Sequence, residues 1–292
     1  MSARGISRLL RLPLFATAVA DAMAGYFVGL LPNLDVLDWR RVGLLAGTST
    51  GLYLYGMVQN DLVDRRRDAL LGTGRPLAAG EVGLPTAVIL LLLAAALAAV
   101  CAVGLSAGAL VVAIGAFGAI NLYNLAAKQG PSFVAMTVMG LCRLLNVMIG
   151  VAASHGVPHE ITPAMFGPAG PMWARHAIAV FGATFVVTGY SIAVRRELRM
   201  SSRPWMVAFV VSAVAGFILL AVRLGTDANW LHVPLARVFA VVLLTALWPG
   251  GLWSAVGPMR RPDQYEPFIA RMLYWFIVMD AAFVADTWLM AM

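Results

Sequence analysis

Uninterrupted apolar stretches of about twenty residues alternate along the chain with short polar junctions rich in Gly and Pro. Leu84–Leu105 carries no charged residue, and neither does Ala177–Val194. A transmembrane barrel would alternate polar and apolar positions over segments of about ten. Continuous runs of this length predict helices that cross a bilayer. Nine spans are expected, at about 13–31, 42–59, 84–105, 107–127, 131–153, 176–194, 204–223, 235–256 and 267–290. The junctions are punctuated at Gly80–Pro85, Gly130–Pro131 and Gly250–Pro258. The pattern predicts an all-α integral membrane protein, a single polytopic domain over residues 1–292. Charged loops follow the second and sixth spans, roughly 130 residues apart. That spacing predicts two related halves, about 1–127 and 128–256, with a ninth helix over 267–290.

Composition narrows the picture. Of 292 residues 61% are hydrophobic and 12% charged, against about 25% charged in a soluble domain. A cytosolic protein, a nucleic-acid binder and a disordered chain are excluded by that deficit. The net charge of +7 is read as the signature of topology rather than of an anionic partner. With a cytoplasmic N-terminus, fifteen Lys and Arg fall on the cytoplasmic side, five fall opposite, and Arg143 lies within a span. The C-terminus is then outside, and a bacterial inner membrane is the expected location. Trp39, Trp173, Trp205, Trp230 and Trp253 lie near expected span ends, as interface anchors should. Arg4, Arg8 and Arg11 before Leu12–Ala20 look superficially like a signal peptide. The apolar stretch continues past Asp21 through Ala22–Leu31, so it is read as the first retained span. Cys101 and Cys142 lie inside apolar segments and frame neither a disulfide nor a metal cluster.

The candidate chemistry centres on Gln59-Asn60-Asp61-Leu62-Val63-Asp64-Arg65-Arg66-Arg67-Asp68. If the second helix runs past its apolar span, Asn60, Asp64 and Asp68 share one face, with Asp61 beside them. Clustered carboxylates repel unless a cation neutralises them, and Mg²⁺ takes such oxygen ligands together with substrate phosphates. The alternative is a solvated charged loop balanced by Arg65–Arg67. Arg75 adds a cation, followed by Tyr123-Asn124 with Lys128, then Gly140 through Arg143 to Asn146. Arg143 is an intramembrane charge and therefore a functional candidate. Asp21 is either a cavity-facing group or a helix–helix hydrogen-bond partner, and the cavity is favoured. Three cations beside an acidic cluster suit a metal-bound diphosphate attached to something apolar. His155, His159, His176 and His232 map to the opposite side and are assigned no metal.

These motifs resemble those of the UbiA superfamily of intramembrane prenyltransferases. The resemblance runs from Arg11-Leu12-Pro13 and Asp21 through Gly25-Tyr26, the N-D-x-x-D-x-x-x-D run at Asn60–Asp68, Arg75-Pro76-Leu77, Tyr123-Asn124 with Lys128, and Gly140 to Asn146. Within the superfamily the chain looks most like the branch called EboC. The resemblance implies nine transmembrane helices around a central cavity. It also implies a prenyl diphosphate donor held through Mg²⁺, and an acceptor that captures the allylic cation. Asn60, Asp61, Asp64 and Asp68 carry over as metal-motif residues, and Lys128 and Arg143 as diphosphate contacts. Asn60, Arg75, Tyr123, Asn124, Asn146, Ser191, Arg195 and Asp21 are the expected substrate-binding set. Asp61, Asp64, Lys128, Arg143 and Tyr190 are the expected catalytic set.

The chain departs from the family at its second motif, which reads Tyr190-Ser191-Ile192-Ala193-Val194-Arg195-Arg196-Glu197. Only Tyr190 matches the usual start, and no Asp remains. Arg195 offers a substitute, since a guanidinium pairs bidentately with diphosphate oxygens. A second reading is therefore a carrier that binds or translocates an isoprenoid diphosphate without ionising it. A CDP-alcohol phosphotransferase is set aside, because its Asp-Gly followed by Ala-Arg pattern is missing.

Overall fold

In the computed structural model, residues 3–30, 37–154 and 172–196 are described, with positions 273, 274, 277, 280, 281 and 284. The expected span at 13–31 is α2 (Phe15–Leu30), entered through α1 (Ala3–Leu10) and a tight 3-10 turn at Leu12–Leu14. The spans expected from 84 to 153 are α4 (Leu84–Val103), α5 (Ala107–Leu125) and α6 (Ser132–Ala153). α7 (Met172–Arg196) covers the expected span at 176–194. The expected spans at 204–223 and 235–256 lie outside the described residues. Of the last, six positions are described, and all are helical.

The second span departs from its expected length. α3 runs from Trp39 to Leu71, 33 residues, or about 50 Å at 1.5 Å per residue. That exceeds the roughly 30 Å of a hydrocarbon core. The segment expected as a charged loop at Asn60–Glu81 is therefore helical as far as Leu71, and only 72–83 form the connection. The Asp38 carboxylate accepts from the backbone N–H groups of Arg40 and Arg41 at the start of α3. Gly72, at φ 61°, ends the helix in a left-handed turn, with its N–H reaching Ala69 O.

Small residues let the helices approach closely. A Cβ on Gly150 of α6 would collide with the backbone oxygen of Ala22 on α2, and one on Gly25 would meet the backbone oxygen of Val147. Ala22, Tyr26, Leu45, Leu52, Ala109, Ala113, Ala116 and Ile149 form the central core. Ile89, Leu92, Val100, Val111 and Ile114 stand exposed on the outside of α4 and α5, where lipid would cover them. Four described helices are long and apolar enough to cross a membrane. A second cluster, Leu9, Val58, Leu77, Val82 and Ala87, pins α1 and the 72–83 connection against α3 and α4. This clamp carries Arg11 and Arg75 to the end of the bundle that bears Asn60–Asp68.

Candidate active site

Among the described residues, α2, α3, α5, α6 and α7 line a cavity of about 280 Å³, together with Leu273. α3, α5, α6 and α7 each contribute a stripe at three- and four-residue spacing, the spacing that places side chains on one helical face. α3 presents Ser49, Leu52, Tyr53, Gly56, Met57 and Asn60. α6 presents Met139, Cys142, Arg143 and Asn146, and α7 presents Thr184, Val187, Thr188 and Ser191. Thr17 and Ala18 come from α2, and Ala116, Ile120, Tyr123 and Asn124 from α5. Arg11 and Asn60 also line the cavity, and here it meets the charged end of α3.

Around this mouth, carboxylates and cations interlock. Asp61 is 1% exposed, and its Oδ1 accepts from Arg11 Nη2 at 3.1 Å and from Asn60 Nδ2 at 3.3 Å. Arg75 Nη1 lies 3.9 Å from the same oxygen. Lys128 Nζ donates to Asp64 Oδ2 at 2.9 Å and to Asn60 Oδ1 at 3.1 Å. Arg11 sits in the left-handed region at φ 47°, and its carbonyl accepts from the Tyr53 hydroxyl at 3.1 Å. That backbone turn aims its side chain back over Asp61. The sequence reading assigned Arg11 no site role. Its placement next to the Arg11-Leu12-Pro13 break between two helices is the signal that could have marked it.

Deeper in the bundle, Arg143 grips Asp21. Its Nη2 donates to Oδ1 at 2.9 Å, and its Nε lies 2.6 Å from Oδ2 as an ion pair. Arg143 Nη1 also donates to Thr17 Oγ1 at 3.1 Å. Asp21 is fully buried and ties α2 to α6. Near this pair, Asp280 Oδ1 meets His176 Nε2 at 2.8 Å. Neither Asp280 nor His176 was foreseen as part of this cluster, since the two are 104 residues apart and Asp21 is more distant still.

The structure thus brings Asn60, Asp61, Asp64, Arg75 and Lys128 to one mouth, and Tyr123, Asn146, Arg143 and Ser191 to the cavity wall. Asn124 is buried, donating to Gly56 O at 3.1 Å and Gln59 Oε1 at 2.9 Å, and so fastens α5 to α3. Asn146 donates to Ala18 O at 2.6 Å. Asp68 lies one turn beyond Asp64 and pairs with none of the described residues. The side chains of Tyr190 and Arg195 lie outside the described residues.

The mouth offers oxygen donors of the kind a hard divalent cation takes. Among the described residues Asp61 Oδ2 is buried without a hydrogen-bond partner, a spare anionic oxygen near the Asn60 and Asp64 oxygens that Lys128 holds. Among the described residues, no group of three or more His, Cys, Asp and Glu side chains could hold a metal ion. Further ligands would have to come from a bound molecule, as phosphates do for Mg²⁺.

No protein-family model and no curated sequence matches the chain. Solved structures do. A UbiA homolog from Archaeoglobus fulgidus bound to GPP and Mg²⁺ superposes with a TM-score of 0.57 at 14% identity, covering 97% of this chain and 98% of that one. The apo UbiA homolog from Aeropyrum pernix K1 gives 0.63 at 17% identity, over 95% and 98%. Digeranylgeranylglyceryl phosphate synthase gives 0.55 at 14% identity, over 97% and 99%. The chain is an integral membrane protein with the helical fold of the UbiA homologues.

Proposed function

We propose that this chain is an intramembrane prenyltransferase of the UbiA superfamily, moving a prenyl group from a prenyl diphosphate to an acceptor with Mg²⁺ as cofactor. The buried Asp61 carboxylate carries the reading. It keeps one oxygen unpartnered while Arg11 and Arg75 flank it and Lys128 stands beside it, at the mouth of a largely apolar cavity. Structural neighbours bound to GPP, to DMAPP and to Mg²⁺ support the same ligand chemistry.

Each group has a role under this reading. Asn60, Asp61 and Asp64 hold Mg²⁺, with Asp68 on the next turn, and the ion withdraws charge from the leaving diphosphate when bound. Arg11, Arg75 and Lys128 face the diphosphate oxygens. These three cations against Asp61, Asp64 and Asp68 leave no excess charge, so balancing a diphosphate calls for divalent cation as well. Leu52, Met57, Ala116 and Ile120 wall the reacting carbon from water. Tyr123, Asn124, Asn146 and Ser191 shape the substrate space around it. Tyr190 and Arg195 complete the proposed set, Arg195 replacing part of the second Asp motif by pairing with diphosphate.

The same proposal extends to the architecture. Nine spans form one membrane domain of two related halves, with the mouth facing the cytoplasm of a bacterial inner membrane. The EboC-like placement rests on the sequence pattern. A carrier of isoprenoid diphosphates is the second reading, favoured by the absence of Asp from Tyr190–Glu197. Diphosphate release from geranyl diphosphate by the purified protein, with a phenol present to capture the geranyl cation, separates the two. Release that depends on Mg²⁺ and falls at least a hundredfold in a folded Asp61→Asn variant is expected. Tight binding of the donor without release would establish the carrier, and release unchanged in Asp61→Asn would remove the metal site.

A further inference from the structure

Ser49 lines the cavity, is 1% exposed, and its Oγ has no hydrogen-bond partner among the described residues. A hydroxyl in a helix ordinarily satisfies itself on the carbonyl four residues earlier. Its neighbour Thr48 does so, donating to Leu44 O at 2.9 Å, and Thr184 across the cavity donates to Val180 O at 2.7 Å. Ser49 instead leaves its hydroxyl unused in the cavity wall. It stands eleven residues from Asn60 along α3, about 16 Å deeper than the charged mouth.

The charge at this depth is already settled. Arg143 lines the same cavity, but the Asp21 carboxylate occupies its fork, and Asp280 adds a second acid behind that pair. The Arg143 guanidinium is already engaged by the Asp21 carboxyl, and His176 by Asp280 at 2.8 Å. A carboxylate entering here would find its guanidinium taken and two acids nearby.

Resting on the prenyl-transfer reading, we propose that the deep end of the cavity binds a neutral, hydroxyl-bearing acceptor. One acceptor hydroxyl bonds to Ser49 Oγ, and the Arg143–Asp21 pair excludes anionic acceptors of the same size. Ser49 acts as a specificity-determining residue, apart from the groups that hold the diphosphate.

The test compares 3-(hydroxymethyl)phenol with 3-hydroxybenzoate, which share a ring and differ in charge. Equilibrium binding of each to the purified full chain is measured by calorimetry, and that of geranyl thiodiphosphate with Mg²⁺ is measured separately. The neutral phenol is expected to bind at least tenfold more tightly. Ser49→Ala is expected to weaken it at least fivefold while geranyl thiodiphosphate binding shifts less than twofold. Asp21→Asn, which leaves the Arg143 charge unbalanced, is expected to tighten 3-hydroxybenzoate about tenfold. Should that variant fail to fold, the wild-type preference and Ser49→Ala decide. Equal or tighter binding of the anion, an unaffected Ser49→Ala, or binding of neither phenol overturns the proposal. If the thiodiphosphate does not bind but the neutral phenol does, the prenyl-transfer reading fails and the deep site stands.

Discussion

Arg11 and Asp61, fifty residues apart, meet at 3.1 Å where the cavity opens. The contact depends on a backbone turn that L-residues other than Gly and Asn rarely adopt. Arg11 therefore combines a conformational cost with a charge at the place where an anionic ligand is expected.

Substitution separates the two contributions. Arg11→Gly keeps the left-handed turn accessible and removes the guanidinium, so thermal stability should hold while affinity for geranyl thiodiphosphate falls about 10–100-fold, equivalent to roughly 1.5–3 kcal/mol. Arg11→Ala should lose the same affinity but keep the strain that Arg11 itself bears, leaving it about 1 kcal/mol less stable than Arg11→Gly. Calorimetric binding paired with detergent melting curves reads both. Equal donor binding in Arg11→Gly and wild type would show that Arg11 serves only the fold.

Lys128 holds Asp64 and Asn60 together with one ammonium group whose side chain is 9% exposed. Lys128→Met preserves its length and apolar stem but leaves both oxygens without their donor. Donor-analogue affinity should drop at least tenfold, while Mg²⁺ binding in the analogue's absence should tighten, because the ion no longer competes with Lys128 for the Asp64 carboxylate. A titration of Mg²⁺ against each variant checks this, and unchanged Mg²⁺ affinity would count against a shared site.

The α2–α6 seam predicts a sharp contrast between two glycines. A methyl group at Gly150 meets the Ala22 carbonyl, whereas one at Gly118 meets nothing within 4 Å. Gly150→Ala should destabilise by about 1–3 kcal/mol through forced separation of the helices. Gly118→Ala should be neutral or stabilise by up to about 1 kcal/mol through helix propensity. Thermal unfolding of the two variants in detergent should diverge accordingly, and similar losses in both would contradict the packing described for this seam.

Orientation is tested by labelling. Cysteines placed in the 154–173 segment should react with an impermeant reagent outside intact cells, while cysteines near positions 70 and 199 should react only after permeabilisation. The reverse pattern would put the mouth on the other side of the membrane.

The helices described up to Ala153 were legible because bilayer thickness sets the length of an apolar run, so spacing alone locates α4, α5 and α6 within a few residues. The extension of α3 was legible only conditionally. Asn60, Asp64 and Asp68 share a face if the helix continues, and their polarity hid the fact that it does. Arg11 was hidden for a different reason, since an arginine in a basic N-terminal stretch is fully accounted for by topology. The Arg143–Asp21 fork joins residues 122 apart, a distance over which one sequence carries no pairing signal. Ser49 sits among Gly47, Thr48, Thr50 and Gly51 and reads as a small residue for close helix packing. Only the unsatisfied Oγ of the folded chain singles it out.

The described ion pairs at the mouth draw all their members from the stretch between Arg11 and Lys128. Synthesis runs from the N-terminus, and segments made first organise first. The charged rim can therefore be assembled in the membrane before α6 has emerged from the ribosome. α6 and α7 then arrive as the closing wall of a vessel whose lip is already built. An insertion that delays α6 would leave the rim intact but open on one side to lipid, a half-vessel that grips an anion and shields nothing.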